Sequence, residues 1–124
     1  MAYFYSIRGW LEVEPENFKK ATHHLYALQK KETLETKETL YLKGWCWRDP
    51  STTINWTRYL FYGADVTEEG LELFKKTLLE LLDLKLNLSG YFHAQGEDGE
   101  HNFIYQITDD YLQVEAGKIL VAVT

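Results

Sequence analysis

Hydrophobic and polar side chains alternate at the start of the chain, which is the pattern of a half-buried β-strand. The apolar positions of this predicted strand, residues 2–14, are Tyr3, Tyr5, Ile7, Leu11 and Val13. After Pro15 the apolar positions recur at spacings of three and four, which indicates an amphipathic helix that ends near Lys31. The stripe of this helix consists of Phe18, Ala21, Leu25 and Leu28. The chain therefore begins with a strand followed by a helix.

The middle of the chain contains two further predicted strands and a second predicted helix. Alternation predicts strands at residues 39–47 and 53–62, separated by a proline-containing turn. Asp65 or Thr67 is expected to cap a helix that ends near Asp83. The apolar stripe of this helix consists of Leu71, Phe74, Leu78, Leu81 and Leu82.

The last third of the chain is predicted to be a meander of short strands joined by tight turns. Asp98-Gly99 is the strongest turn signal, because this pair tolerates the positive φ angles that a tight hairpin needs. The predicted strands are residues 85–95, 101–108, 111–115 and 119–123. We therefore predict a single α+β domain, residues 1–124, with a ferredoxin-like split βαβ arrangement (β-α-β-β-α-β) and additional C-terminal antiparallel strands. Both helices are expected to cover one face of the sheet.

The opposite face of the predicted sheet is expected to carry aromatic and basic side chains. Alternation places the following candidate ligand-binding residues there: Arg8, Trp10, Tyr41, Lys43, Trp45, Trp47, Tyr91 and His93. Extended aromatic surface of this kind is typical of an interface or a ligand groove. Three interpretations are open: a second core covered by the C-terminal strands or by a second copy of the chain in a homodimer, a ligand or partner groove, and a platform for nucleic-acid bases.

The charge of the chain is negative and unevenly distributed. The formal net charge is −6; residues 64–124 carry four Lys or Arg against twelve Asp or Glu, whereas residues 15–50 carry seven against five. A surface weighted in this way repels phosphate backbones, so nucleic acid is not expected as a partner. A basic protein partner, or simple solubility, fits better, and we expect such a partner to meet the acidic turns. The candidate partner-binding residues are Glu97, Asp98, Glu100, Asp109 and Asp110.

Residues with catalytic or metal-binding chemistry are scattered along the chain. The histidines and acidic residues follow no zinc or calcium ligand spacing, so neither a metal site nor a cofactor is predicted. Cys46 lies in a predicted strand, and alternation places it on the core face as an inert thiol. An enzyme that uses His93 as acid–base and Arg8 to stabilise negative charge is an alternative, but it lacks an evident nucleophile or carboxylate pair.

Composition narrows the function classes. The single cysteine excludes an intrachain disulfide and favours a reducing, cytoplasmic location. The longest apolar-rich run, residues 78–88, is interrupted by charged residues, so no membrane association is expected. We therefore interpret the chain as a non-enzymatic protein-binding module, such as an acidic inhibitor or immunity-type partner of a basic protein. The alternatives are a small enzyme and a small-molecule site in which Trp10, Trp45 and Trp47 stack a planar ligand.

Overall fold

The computed structural model describes residues 3–31, 36–49, 51 and 56–116. This part of the chain is an α+β structure in which helices pack on an antiparallel sheet. Its strands are β1 (Tyr5–Val13), β2 (Trp45–Trp47), β3 (Arg58–Val66), β4 (Ser89–Gly96), β5 (Asn102–Thr108) and β6 (Tyr111–Ala116). Its helices are α1 (Pro15–Gln29), α2 (Thr36–Leu42) and α3 (Glu68–Asp83). None of these described helices is long and apolar enough to cross a membrane.

The first strand lies in the interior of the sheet. The strand order is β2-β3-β1-β4-β5-β6, and each neighbouring pair is antiparallel. β1 pairs with β3 from Tyr5, opposite Val66, to Val13, opposite Arg58, and it pairs with β4 on its other side. Residues directly opposite each other in an antiparallel pair share a face of the sheet. The register therefore fixes which side chains of β1, β3 and β4 point the same way.

The core lies between one face of the sheet and the helices. In α1 the predicted stripe is buried at Phe18, Ala21 and Leu25, and in α3 the predicted stripe is buried at every position. These residues join one apolar cluster with alternate positions of the strands, among them Leu11 and Phe92. α1 and α3 therefore cover the same face of the sheet, as the sequence predicted, and the other face is not covered by them.

The strand predicted at residues 39–47 is wrong for most of its length. α2 occupies its first part, and only the three residues of β2 are extended. Contacts with distant residues hold this segment: the Tyr62 hydroxyl donates a hydrogen bond to the carbonyl oxygen of Tyr41 at 2.7 Å, and the Gln29 side chain donates one to that of Leu42 at 3.0 Å. Short apolar runs fit a helix or a strand equally well, so tertiary packing decided between them here.

The boundaries of β3 and β4 also differ from the predicted ones. β3, predicted at residues 53–62, continues to Val66, and β4 begins at Ser89, later than predicted. Lys85 and Asn87 both have φ 57°, in the left-handed region, so the segment before β4 is not extended. The apolar alternation of that segment therefore does not reflect a strand.

The start of α3 agrees with the sequence prediction at Thr67, and one helix was not predicted. Thr67 occupies the N-cap position of α3, although its side chain makes no capping hydrogen bond, and Asp65 lies in β3. The described residues contain a third helix, α2, in addition to the two predicted ones. The last predicted strand, residues 119–123, lies outside the described residues.

Candidate functional site

The sheet face opposite the helices carries a row of aromatic rings that are exposed or half-buried. Trp10 of β1 lies opposite Phe61 of β3 and opposite Tyr91 of β4. The ring centroids of Trp10 and Tyr91 are 5.8 Å apart, and those of Tyr59 and Phe61 are 6.1 Å apart with an interplanar angle of 21°. Trp10 and Phe61 are each 40 % exposed. We call this surface the aromatic face; it consists of Trp10, Tyr59, Phe61 and Tyr91.

Arg8 and His93 lie beside the aromatic face, opposite each other on β1 and β4. Arg8 Nη2 donates a hydrogen bond to Gln95 Oε1 at 2.9 Å. Burial lowers the pKa of His93, and the positive charge of Arg8 lowers it further, so the neutral imidazole is favoured. His93 Nε2 is buried and has no hydrogen-bond partner among the described residues. This pair therefore offers one fixed cation and one neutral imidazole next to the rings.

Half of the residues predicted to share this face lie elsewhere. Tyr41 is in α2 and Lys43 is in the turn after it, so neither belongs to a strand. Trp45 and Trp47 lie on the helix-covered side of the sheet, where Trp45 is 2 % exposed and its ring stacks on that of Phe74 at 5.6 Å. The predicted placement is wrong for these four residues. The other four do lie on the open face: Arg8, Trp10, Tyr91 and His93.

The register of β2 explains both the misplaced tryptophans and a missed cysteine. Trp45 lies opposite Tyr62, which is buried, whereas Cys46 lies opposite Phe61 on the open face. Cys46 is exposed, so the prediction of a core-face thiol is wrong. Tyr59 and Phe61 were not assigned to this face from the sequence, although their spacing of two residues within an aromatic strand carries the signal.

The acidic turn between β4 and β5 is tied to the segment that precedes β1. Glu97 accepts a hydrogen bond from the backbone N–H of Phe4 at 3.2 Å, and Asp98 accepts one from the Tyr3 hydroxyl. The Tyr3 bond, followed by a bond from the backbone N–H of Glu100, lowers the pKa of Asp98. Glu97 and Asp98 therefore hold the hairpin in place in addition to exposing negative charge.

More acidic residues gather at the same end of the molecule. A groove of 690 Å³ at the start of α3 is lined by three glutamates, Glu68, Glu69 and Glu72. Tyr3 lines this groove and also donates to Asp98, so the groove and the acidic turn are adjacent. Lys37 Nζ lies 2.7 Å from the Glu69 carboxylate and lowers its pKa. We call this region the acidic end; it consists of Glu68, Glu69, Glu72, Glu97, Asp98 and Glu100.

The two remaining candidate partner residues, Asp109 and Asp110, do not belong to the acidic end. They follow β5, whereas Asp98 precedes it, and seven strand residues span about 20 Å. The Asp110 carboxylate accepts hydrogen bonds from the backbone N–H groups of Asn87 at 2.9 Å and Leu88 at 2.8 Å. Asp110 therefore anchors the irregular segment before β4, and the five predicted acidic residues do not form one surface.

Replacing Asp110 with asparagine is expected to lower the free energy of unfolding by about 1–2 kcal/mol, because an amide supplies only one of the two acceptor oxygens. Asparagine tolerates the φ of 67° at this position, so the backbone is not strained. Asp109→Asn is the matched control, with φ 46° and no side-chain hydrogen bond to the described residues; it should change stability by less than about 0.5 kcal/mol. Urea unfolding measures both variants, and equal losses would contradict the anchoring role.

Other ligand chemistry is limited in the described ranges. Among these residues, no group of three or more His, Cys, Asp or Glu side chains is arranged to hold a metal ion. The open face carries a shallow groove of 310 Å³, lined by Ser6, Ile7, Arg8, Ala64 and Asp65. This volume is at the lower end of the range of about 300–1,000 Å³ for small-molecule sites, and the aromatic rings do not line the groove.

The chain matches no family model, no curated protein and no solved structure. Its class is therefore defined by its own fold and surface, which are those of an α+β domain with an antiparallel sheet. The aromatic face and the acidic end are two surfaces with a distinct chemistry.

Proposed function

We propose that this protein is a non-enzymatic protein-binding module that docks a basic protein on its aromatic face. The observation that carries the proposal is the aromatic face itself, where rings of paired strands lie side by side and those of Trp10, Tyr59 and Phe61 remain exposed. Contiguous exposed aromatic surface is characteristic of interaction sites, because it is costly to leave in water. The face is broad and the groove beside it is small, which suits a protein surface better than an enclosed ligand.

The strands that carry the rings favour tight docking. Trp10 is held in the sheet by neighbours on both sides, so little backbone freedom is lost when a partner binds. Tryptophan and tyrosine are enriched among the residues that contribute most to interface affinity. The exposed fractions of Trp10 and Phe61 leave apolar area for a partner to bury.

Negative charge on the open face supports a basic partner. Glu12 lies opposite Tyr59, and Asp65, four residues along β3 from Phe61, accepts a hydrogen bond from Ser6 at 2.6 Å; the acidic end lies at the far end of the sheet, beyond Asp65. The chain as a whole has a formal net charge of −6. Complementary charge around an interface accelerates association and excludes wrong partners. An inhibitor or immunity-type protein that covers a basic cleft would combine apolar rings of this kind with acidic groups on the same sheet face.

Two finer proposals concern the fold and the location. We propose that β2-β3-β1-β4 with α1 and α3 form a ferredoxin-like unit that β5 and β6 extend; the support is that α1 follows β1 and α3 follows β3. We also propose a cytoplasmic location, which is supported by the single cysteine, Cys46, being exposed without a disulfide partner in the chain.

A small-molecule or catalytic site on the open face is the second candidate function. It is supported by the lowered pKa of His93 beside Arg8, a pairing that suits binding or proton transfer with an anionic group. A second copy of the chain on the aromatic face is a further occupant. Both serve as alternative outcomes of the following experiment.

The full-length Trp10→Thr/Phe61→Thr double variant is expected to bind the partner at least about tenfold more weakly, because two interface rings are lost. Threonine keeps the strand propensity, so the sheet should persist. Tyr26→Ala is the matched control, since Tyr26 is an aromatic residue of α1 that is 51 % exposed. The tagged chains are used to retain partners from native lysate, and the affinity of each retained protein is then measured after purification.

The proposal requires one stoichiometric basic protein that binds the wild-type chain and Tyr26→Ala with equal affinity and the double variant more weakly. Equal binding of all three chains by every retained protein would exclude the aromatic face. Retention of no protein, or a wild-type dimer in sedimentation analysis that the double variant converts to a monomer, would overturn the basic partner.

A further inference from the structure

A groove on the helical side of the molecule has a chemistry opposite to that of the acidic end. It lies between α1 and the segment that joins α3 to β4, and its volume is 670 Å³. This volume is within the range of about 300–1,000 Å³ that small-molecule sites occupy. No part of the groove belongs to the aromatic face, so it requires a separate explanation.

The floor of the groove is apolar and held in place. It is formed by Ala27 of α1 together with Leu84 and Leu86. Leu86 is 3 % exposed and Leu84 is 39 % exposed, so the floor continues from the core to the surface. The Asn17 side chain donates a hydrogen bond to the carbonyl oxygen of Leu86 at 3.0 Å, which ties this segment to α1. The apolar part of a ligand would therefore meet a preformed surface.

The rim of the groove is basic. Lys19, Lys20 and His23 line it from successive turns of α1, and Glu16 is the acidic residue among the described residues that line it. Within the described ranges, Lys19, Lys20 and His23 form no ion pair. The two lysines outnumber the single glutamate among the described lining residues, and lysines that form no ion pair in this part of the chain favour an anion.

His24 adds a polar atom that has no hydrogen-bond partner among the described residues. Its Nε2 is buried and makes no hydrogen bond with the described residues; the Glu80 carboxylate is 3.9 Å away, which is beyond hydrogen-bond distance. Buried polar nitrogen atoms are normally hydrogen-bonded, and an anionic oxygen would serve as the acceptor for its N–H. His24 lines the same groove as the two lysines.

We propose that this groove binds a small amphipathic carboxylate. The apolar part of the ligand lies on the floor formed by Leu84 and Leu86, and the carboxylate meets Lys19, Lys20 and His24. The volume of the groove is that of a small-molecule site, which favours a small molecule over an acidic peptide that needs an extended surface to dock. The site is independent of the aromatic face and of the protein partner proposed there.

Octanoate and 1-octanol are the probes, because they share an alkyl chain and differ in the negative charge. The amide resonances of the ¹⁵N-labelled full-length chain are followed by NMR during each titration. Octanoate is expected to give saturable shifts at residues 16–27 and 84–86, with an affinity roughly three- to tenfold higher than that of 1-octanol. The shifts should reach saturation near about 10 mM, as expected for a ligand of this size.

Substitutions on the helices distinguish the contribution of the lysine charges to octanoate binding from that of the apolar floor. Lys19→Gln/Lys20→Gln should lower the octanoate affinity to that of 1-octanol, and Ala27→Glu should abolish octanoate binding because it places a negative charge on the floor. Lys75→Gln/Lys76→Gln removes the same charge from α3, away from the groove lining, and should leave the affinity unchanged within about twofold.

Several results would overturn the proposal. Equal affinities for octanoate and 1-octanol would exclude recognition of the carboxylate, and shifts confined to the open sheet face would exclude this groove. A glutamate-rich peptide that shifts residues 16–27 when octanoate does not would identify an acidic protein segment as the occupant instead.

Discussion

Replacing Gly9 with alanine is expected to lower the free energy of unfolding by about 2–5 kcal/mol, through backbone strain and overpacking together. Gly9 has φ 157°, which side-chain-bearing residues rarely adopt. A Cβ at this position would lie 2.5 Å from Phe92 Cα and 2.7 Å from Phe92 Cδ1, and it would also collide with the carbonyl oxygen of Tyr91. Because β1 pairs with β3 and β4, a shift at Gly9 disturbs the middle of the sheet.

The matched control for this prediction is Gly63→Ala. Gly63 lies in β3 on the open face, and a Cβ there would meet no atom within 4 Å. The same chemical change should therefore be neutral or stabilise the protein by up to about 1 kcal/mol, because alanine restricts the unfolded chain. Urea unfolding followed by circular dichroism compares the two variants. If Gly9→Ala is as stable as Gly63→Ala, the close approach of β1 and β4 is wrong.

Phe74→Ala is expected to destabilise the protein by about 3–5 kcal/mol, because it removes a buried ring from the centre of an aromatic cluster. Phe74 is 1 % exposed. Its ring centroid lies 5.6 Å from that of Trp45, 4.8 Å from Tyr62, 5.1 Å from Phe92 and 5.5 Å from Tyr105. Domains are stable by about 5–15 kcal/mol, so this variant should be marginally folded.

Phe61→Ala controls for the loss of a phenylalanine ring as such. Phe61 is 40 % exposed on the open face, so the substitution leaves no enclosed cavity and should cost less than about 1 kcal/mol. Both variants are compared by urea unfolding, with the tryptophan fluorescence as a second probe, since Trp45 stacks on Phe74. Similar losses for the two variants would show that Phe74 is not at the centre of the core.

The sequence predicted the elements whose periodicity is long. The stripe of α1 and that of α3 each extend over several turns, and the alternation in β1 covers most of its nine residues. These patterns repeat often enough to separate the helical period from the strand period. The face of β1 followed from the same alternation, which is why Arg8 and Trp10 were placed on the open face correctly. The alternation in β4 placed Tyr91 and His93 on the same face, also correctly.

The secondary structure and the register of short segments could not be predicted from periodicity. Residues 39–47 form too short a segment for their apolar positions to separate the helical period from the strand period, and contacts of Gln29 and Tyr62 with α2 favour the helix. The register of β2 is set by its pairing with β3, so Trp45 faces the core and Cys46 faces outwards. A shift of one residue exchanges the two faces of a strand, which is why one wrong register misplaced both tryptophans and the cysteine.

The acidic turns also combine a local feature that the sequence predicts with contacts that it does not predict. Asp98-Gly99 predicted the hairpin, because the φ preferences of these residues are local properties. The hydrogen bonds of the individual carboxylates depend on the tertiary structure. The Asp110 side chain, for example, accepts hydrogen bonds from the backbone of residues 87 and 88, which are 23 and 22 positions earlier in the sequence. The sequence alone thus determined the fold class, the two long helices and the net charge, each of which depends on composition or on local periodicity. The strand order, the place of Tyr59 and Phe61 in the aromatic face and the basic groove depend on contacts between distant segments, and only the tertiary structure decided them.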